Sequence, residues 1–230
     1  MPDLPAVAID GPAGAGKSSV ARRVAGARNW LFVDTGAMYR ALALKALRLA
    51  VDPDDGEALT AAVGGADVGF DEAGTTVFLD GEDVSRAIRD PKVTENVKFV
   101  ARAPALREIL ARKQRAIAVS RPSVTEGRDI CTVVLPDARW KFFLTASVEA
   151  RAKRRYDELI AAGRETSLER VVRDVEERDA SDFAVGPLRN ARDRALAADG
   201  IVYLDTTGMA LDGAAAAVLR QLRGHRNSGP

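Results

Sequence analysis

Short apolar runs alternate with longer segments of helical period along most of the chain. The runs typical of buried parallel strands cover residues 6–9, 29–33, 140–144 and 201–205, and residues 123–126 form a further predicted strand. Between and after them, apolar residues recur every three or four positions, most clearly over residues 41–50, 104–117, 168–178 and 212–222. Strands that alternate with helices in this way predict an α/β fold with a parallel sheet.

The apolar period changes to two between residues 67 and 94. Residues 68–70 and 76–79 alternate in the manner of short strands, and Asp80-Gly81-Glu82 supplies a turn. A local antiparallel meander therefore interrupts the alternating strands and helices. We interpret it as an insertion into the sheet domain.

A glycine-rich stretch follows the first predicted strand. Residues 11–19, Gly11-Pro12-Ala13-Gly14-Ala15-Gly16-Lys17-Ser18-Ser19, match the pattern G-x-x-x-x-G-K-[ST] and open a helical segment. Glycines let successive backbone N–H groups turn inward around phosphate oxygens, and a helix N-terminus adds partial positive charge. Lys17 is expected to reach the β- and γ-phosphates, and the Ser18 hydroxyl to ligate Mg²⁺. The sequence therefore predicts a phosphate-binding loop, the P-loop, at residues 11–19.

Polar residues also follow two other predicted strands. The second strand leads into Asp34, Thr35 and Arg40, and the strand at 123–126 leads into Arg128 and Asp129. Ligands of open α/β sheets bind beyond the carboxyl ends of the strands, so we expect these side chains on the same rim as the P-loop. Arg40 is a candidate for binding a second phosphate group, although an arginine on a helix surface is the commoner case.

A basic cluster lies on the helix predicted after residue 147. It consists of Arg151, Lys153, Arg154 and Arg155. Taken alone, such a cluster is more typical of a solvated helix face. In a chain with a P-loop it is a candidate lid that closes over a triphosphate, with Gly163 at its tip.

Composition mainly excludes classes of function. The 230 residues include 34 basic and 33 acidic ones, and the net charge of +1 gives no overall field for nucleic acid or an anionic membrane. The single cysteine is Cys131 and the single histidine, His225, lies in the tail, so disulfide, zinc and histidine chemistry are not expected. No apolar run reaches the length of a membrane span, and the cytosol is the expected compartment.

Taken together, the motifs resemble those of the bacterial cytidylate kinase family. Besides the P-loop, the matching segments are 34–40, 127–130, 132–134, 136–138 and 178–182. The resemblance implies a P-loop nucleoside monophosphate kinase fold with a five-stranded parallel sheet, a nucleotide-binding insertion and a helical lid. It also implies transfer of the ATP γ-phosphoryl group to CMP or dCMP with Mg²⁺, which yields ADP and CDP or dCDP.

The same resemblance implies the roles of single residues. The ATP phosphates are held by residues 11–19, with Ser18 on the metal, and by Arg154 of the lid. Charge at the transferred group is neutralised by a catalytic set: Lys17, Arg128, Arg151 and Arg155. The acceptor nucleotide is bound by Thr35, Arg40, Arg107, Arg128, Asp129, Arg178 and Asp182.

Within the acceptor set, Arg40 and Arg128 are expected to hold the phosphate of CMP. Arg107 and Asp129 face the cytosine in this scheme, while Arg178 and Asp182 approach the ribose. An ionised Asp129 accepts a hydrogen bond from the cytosine amino group but would face the keto oxygen of uracil, so it rejects as well as attracts.

The implied domain organisation is one kinase domain. Its core covers residues 5–50, 95–147 and 167–223, with the insertion at about 51–94 and the lid at about 148–166. Residues 224–230 are expected to form a disordered tail. We expect a cytoplasmic monomer whose partners are ATP and CMP or dCMP, with no nucleic acid polymer and no membrane.

Several positions depart from the family pattern. Lys98 stands where the family usually has a serine that helps to read the base, and Glu126 stands where aspartate is common. Cys131 replaces a glycine; a thiol on the site rim is sensitive to oxidation, whereas a buried one is inert. The family's Asp-x-x-Arg and Ala-Pro-Leu patterns are disrupted over residues 183–198, so either Arg189 or Arg192 takes the place of a phosphate-binding arginine.

Two alternatives compete with this interpretation. A kinase for UMP, AMP or another small acceptor would share the P-loop and the lid. A regulatory module that hydrolyses ATP or GTP slowly would need no second set of phosphate-binding arginines, and the guanine-reading Asn-Lys-x-Asp motif does not occur in the chain. The sequence favours the phosphotransferase that acts on CMP.

Overall fold

The strands form two separate sheets. The computed structural model describes residues 5–161, 163–184 and 187–223. In chain order, the strands of these residues are β1 (Ala6–Asp10), β2 (Leu31–Asp34), β3 (Val68–Phe70), β4 (Val77–Leu79), β5 (Glu82–Asp83), β6 (Ser123–Gly127), β7 (Trp140–Thr145) and β8 (Val202–Asp205). The main sheet has five parallel strands in the order β2-β6-β1-β7-β8, which confirms the predicted fold.

Helices cover both faces of the main sheet. In the described parts of the chain they are α1 (Lys17–Arg28), α2 (Thr35–Arg48), α3 (Gly56–Val63), α4 (Pro91–Arg102), α5 (Pro104–Ala118), α6 (Val148–Ala161), α7 (Leu168–Ala184), α8 (Pro187–Leu196) and α9 (Leu211–Arg223). One face packs on α1 and α9, for example through Val24 and Val218. The other packs on α8 and on a short π-helical turn, Ile130–Val134, through Leu188 and Ile130. None of the helices seen in these ranges is long and apolar enough to span a bilayer.

The central strand β1 explains the short, wholly apolar runs of the sequence. All five of its residues are buried, because helices cover it on both sides. Its neighbours are β6 and β7, and Asp10 at its end lies opposite Gly127 at the end of β6. The P-loop and the segment after β6 therefore start side by side.

The second sheet is the antiparallel meander that the sequence predicts. Its strand order is β3-β4-β5. Asp80 and Gly81 connect β4 to β5 with φ values of 50° and 86°, as a two-residue hairpin turn requires. Glu82, which the sequence assigned to that turn, belongs to β5. The meander packs against α2, α4 and α5 in a hydrophobic cluster of its own.

Helix α7 is longer than its apolar pattern predicts. The pattern ends near residue 178, whereas the helix continues to Ala184. Arg178, Asp179 and Asp182 consequently lie on the last turns of a helix. The expected disordered tail at 224–230 lies outside the described residues, and the proposed domain boundaries stay a prediction.

Candidate active site

The P-loop is wedged between the main sheet and helix α6. Gly11, Gly14 and Gly16 have backbone φ values of 150°, 75° and 86°, which residues other than glycine rarely adopt. A Cβ at Gly11 would overlap the backbone carbonyl oxygen of Leu144, and a Cβ at Gly14 would lie 3.1 Å from the Cβ of Arg151. Glycine is therefore required at positions 11 and 14 for the loop to adopt this conformation.

Lys17 is folded back over the loop. Its Nζ donates a hydrogen bond to the carbonyl oxygen of Pro12 at 2.8 Å, and the residue is only 5% exposed. Burial lowers the pKa of Lys17 to about 7, and the nearby positive charge of Arg128 acts in the same direction. A bound phosphate would supply the negative charge that favours the protonated amine.

Two hydroxyl groups meet the end of β6 at Glu126. Ser18 Oγ donates to Glu126 Oε1 at 2.7 Å, and Thr35 Oγ1 donates to the backbone oxygen of Glu126 at 2.7 Å. Burial, followed by the charge of Asp34, raises the pKa of Glu126. Mg²⁺ prefers oxygen ligands such as hydroxyl and carboxylate groups, so the side chains of Ser18 and Glu126 fit that ion. The described ranges contain no group of three or more acidic, histidine or cysteine ligands, so a metal here would depend on substrate phosphates as well.

Asp34 holds two arginines at the end of β2. Its carboxylate caps α2 by accepting from the N–H of Ala37 at 2.8 Å, and Arg40 Nη2 and Arg89 Nη2 lie 3.1 and 3.3 Å from its Oδ2. Arg40 Nε is buried and has no hydrogen-bond partner within the described part of the chain. Arg40 therefore retains donor capacity beside a positively charged neighbour. Arg89, from a 3₁₀ turn at Ala87–Arg89, was not predicted, and no motif marks it.

Asp182 of α7 holds two further arginines. Arg128 Nε donates to one of its oxygens at 2.9 Å, and Arg178 Nε donates to the other at 3.1 Å. Burial alone would raise the pKa of Asp182, but the two guanidinium groups hold that pKa below its ordinary value. Three residues predicted for the acceptor site thus form one ionic group.

Arg107 and Asp129 form a pair beside this group. Arg107 Nη2 donates to Asp129 Oδ2 at 2.6 Å, and the carboxylate residue is 8% exposed. Burial raises the pKa of Asp129, and the charges of Arg107 and Arg128 oppose that shift. The two residues assigned to one base are therefore in direct contact.

Asp10 is a buried carboxylate that the sequence interpretation overlooked. It accepts hydrogen bonds from the N–H groups of Ile130 and Cys131 at 2.8 and 2.9 Å, and so holds the π-helical turn after Asp129. Burial raises its pKa to about 6. An acidic residue at the end of an apolar run, directly before Gly11, was the available signal.

The arginines of the candidate lid have three different environments. Arg151 is 3% exposed and donates to Ala13 in the P-loop, whereas Arg154 donates to the backbone oxygen of Thr206 at 2.6 Å. Arg155 is exposed and pairs with Glu158 at 3.1 Å, and so it differs from Arg151, which contacts the P-loop. Gly163, with φ of 70°, lies in the turn between α6 and α7.

The two candidates for a replacement arginine lie on α8 and contact Phe183 near the C-terminal end of α7. Arg189 Nη2 donates to the carbonyl oxygen of Phe183 at 2.9 Å. Arg192 stacks on the ring of Phe183 at 4.8 Å and pairs with Asp193. Among the described residues, neither arginine shares a carboxylate partner with Arg40 or Arg128.

The unusual residues of the motif segments have different exposures. Cys131 is fully buried, its Sγ lies 3.6 Å from the carbonyl oxygen of Ala8, and burial raises its pKa well above the ordinary value. This supports the interpretation of an inert thiol. Lys98 is exposed on α4, with its amine 5.0 Å from the ring centre of Phe99.

A P-loop beside a second set of arginines, on this five-stranded sheet, defines the class of P-loop nucleoside monophosphate kinases. The family model for cytidylate kinase matches residues 7–224. A cytidylate kinase of Caldanaerobacter subterraneus is 46% identical over 205 residues, which cover 88% of each chain. One of Pelotomaculum thermopropionicum is 52% identical over 84% of this chain and 88% of its own length. The chain belongs to the cytidylate kinase family.

Proposed function

We propose that this chain transfers the γ-phosphoryl group of ATP to CMP and dCMP, giving ADP and CDP or dCDP. The observation that carries the proposal is the adjacency of β1 and β6, where Asp10 lies opposite Gly127. The P-loop follows one strand and the Arg128–Asp129 segment follows the other, so donor and acceptor phosphates would meet between them. The family to which the chain belongs supports the same activity.

On the donor side, the chain's own residues bind and orient ATP. Backbone N–H groups of residues 11–19 surround the phosphates, and Lys17 exchanges the Pro12 oxygen for phosphate oxygens. Ser18 and Glu126 would hold Mg²⁺, which, when bound, neutralises charge on the phosphates. Arg151 adds its charge from a fixed position, Arg154 supports ATP binding, and closure of the lid brings in Arg155.

On the acceptor side, binding exchanges carboxylates for a phosphate. Arg40 leaves part of its contact with Asp34, and Arg128 part of its contact with Asp182, to hold the phosphate of CMP beside Thr35. Planar guanidinium groups suit this role because they bind phosphate oxygens through two parallel N–H donors. Arg178 and Asp182 are then left for the ribose, and either Arg189 or Arg192 for a further phosphate contact.

The Arg107–Asp129 pair provides the base selectivity in this proposal. The ionised Asp129 accepts from the exocyclic amino group of cytosine, and Arg107 keeps the carboxylate charged. Uracil would place a carbonyl oxygen against the same carboxylate, which is repulsive.

We further propose that the enzyme acts as a monomer in the cytoplasm, with the insertion at about residues 51–94 and the lid at about residues 148–166.

A coupled assay over CMP, dCMP, UMP and AMP tests the proposed function. We expect CMP and dCMP to be the preferred acceptors, and Asp129→Asn to reduce the ratio of kcat/KM for CMP over UMP at least about tenfold. The matched control is Asp174→Asn, which changes an exposed aspartate of α7. Equal turnover of CMP and UMP by the unmodified enzyme would contradict the proposal.

A further inference from the structure

Helix α7 carries two carboxylates that bind arginines from two different segments of the chain. Asp182 binds Arg128, which follows β6, on the acceptor side. Asp179, three residues earlier and hence on a neighbouring part of the same helix face, binds Arg151 of helix α6. Nothing described above gives Asp179 a task in binding or catalysis, although its side chain is only 17% exposed.

The guanidinium group of Arg151 donates four hydrogen bonds, to Asp179, Ala146 and Ala13. Its Nη1 and Nη2 lie 2.9 and 2.5 Å from the two carboxylate oxygens of Asp179, a bidentate arrangement. Nε donates to the carbonyl oxygen of Ala146 at 3.0 Å, and Nη1 also donates to the carbonyl oxygen of Ala13 at 3.0 Å. Since Ala13 belongs to the P-loop, one arginine joins α7 to the donor loop.

A second contact places the P-loop against the same residue. Gly14 has φ of 75°, and a Cβ built there would lie 3.1 Å from the Cβ and 3.4 Å from the backbone oxygen of Arg151. The loop therefore rests on Arg151 through the Gly14 backbone as well as through the Ala13 carbonyl. Any movement of Arg151 would therefore affect two successive residues of the loop, Ala13 and Gly14.

We propose that Asp179 is a positioning residue for the reaction, which acts through Arg151 to hold the P-loop in the conformation that binds ATP phosphates. The inference rests on the proposed function for the identity of the reaction. Without the carboxylate, a buried guanidinium would lose its balancing charge and move toward solvent. The Ala13 carbonyl would then lose its donor, and the loop would spend less time in the binding conformation.

The test is direct titration of the full chain with MgATP and, separately, with CMP. For Asp179→Asn we expect the Kd of MgATP to rise about tenfold, while the Kd of CMP changes less than about twofold. Asp179→Glu keeps the charge and should recover most of the ATP affinity. Asp157→Asn, which breaks an exposed ion pair with Lys153 on α6, is the matched control and should alter neither Kd.

A merely structural role would lower the melting temperature and leave the ratio of the two Kd values unchanged, and that outcome would overturn the inference. If Asp179→Asn does not fold, Arg151→Lys takes its place, because one ammonium group cannot hold Asp179, Ala146 and Ala13 together. An unchanged Kd of MgATP in that variant would also overturn it. Failure of the unmodified enzyme to phosphorylate CMP would refute the proposed function alone, since the ATP titration needs no acceptor.

Discussion

The donor loop and the proposed acceptor site would bind phosphate groups with different parts of the chain. The donor loop uses its backbone, and the acceptor site uses side chains. The donor loop is one continuous stretch, residues 11–19, whose glycines turn the backbone toward the ligand. The acceptor site draws side chains from the end of β2, α2, α5, the segment after β6 and α7, and its arginines are bound to carboxylates, as in the pairs of Asp34, Asp129 and Asp182. One site depends on local conformation and the other on long-range packing.

This difference predicts how each site responds to mutation. Donor-loop residues have no substitutes, so a change there should remove activity toward every acceptor. Acceptor arginines share carboxylates and can compensate in part for one another, so changes there should be smaller and selective for the acceptor. The predictions below follow this contrast in order of decreasing size.

The largest effect is expected for Lys17→Ala. Removal of the one amine in the P-loop should lower kcat about 1,000-fold, because no other residue of the loop supplies a positive charge to the transferred group. A coupled assay measures kcat, and circular dichroism checks the fold. Lys92→Ala, which changes an exposed lysine on α4, is the control and should retain activity. Activity near that of the unmodified enzyme would remove the P-loop from the mechanism.

A second effect concerns Asp10, which lies between the two sites. Its pKa is raised from 3.8 to about 6, so the folded state disfavours the ionised carboxylate, and stability is lost as pH rises through this window. Relative to Asp10→Asn, which does not titrate, the free energy of unfolding should fall by about 2.5 kcal/mol between about pH 4 and pH 7.

Urea unfolding of both proteins across that pH range measures the difference. The comparison with Asp10→Asn removes the contribution of other carboxylates, such as Asp182, whose pKa is lowered and whose effect has the opposite sign. A difference that is constant with pH would show that Asp10 is ionised at little cost, and that its two backbone donors outweigh burial.

The smallest effect is expected for Arg40→Lys. A lysine keeps the charge but lacks the forked donors, so kcat/KM for CMP should fall about 30-fold, or about 2 kcal/mol, while the KM for ATP stays within about twofold. Arg112→Lys, an exposed arginine paired with Glu108, is the control. An equal rise in both KM values would show that the donor and acceptor sites are not separable.

The sequence was sufficient for the parts of the fold that have a local cause. The runs at 6–9 and 140–144 became β1 and β7 because strands buried on both faces carry few polar residues. The P-loop was predictable because its glycines adopt positive φ values, and this local requirement of the backbone leaves a recognisable pattern in the sequence. The antiparallel meander also followed from local alternation and a turn.

Pairings across long distances in the sequence were not predictable from pattern. The sequence predicted Arg151 as one of several lid arginines, and only the structure shows it buried against Asp179. Arg89 and Asp34 are 55 residues apart, and no sequence motif contains both residues. The end of α7 was misjudged because its last two turns are polar and are stabilised by ion pairs such as Arg178 with Asp182, not by apolar spacing.

The buried position of Cys131 gives the protein an internal reporter. Its thiol lies in the core on the π-helical turn that follows Asp129, with no exposed surface, and it is the single cysteine of the chain. An alkylating reagent therefore modifies the chain only after this layer of the core has opened, so the rate of labelling measures how often it opens, with no engineered probe. Nucleotides that clamp this turn would slow that labelling.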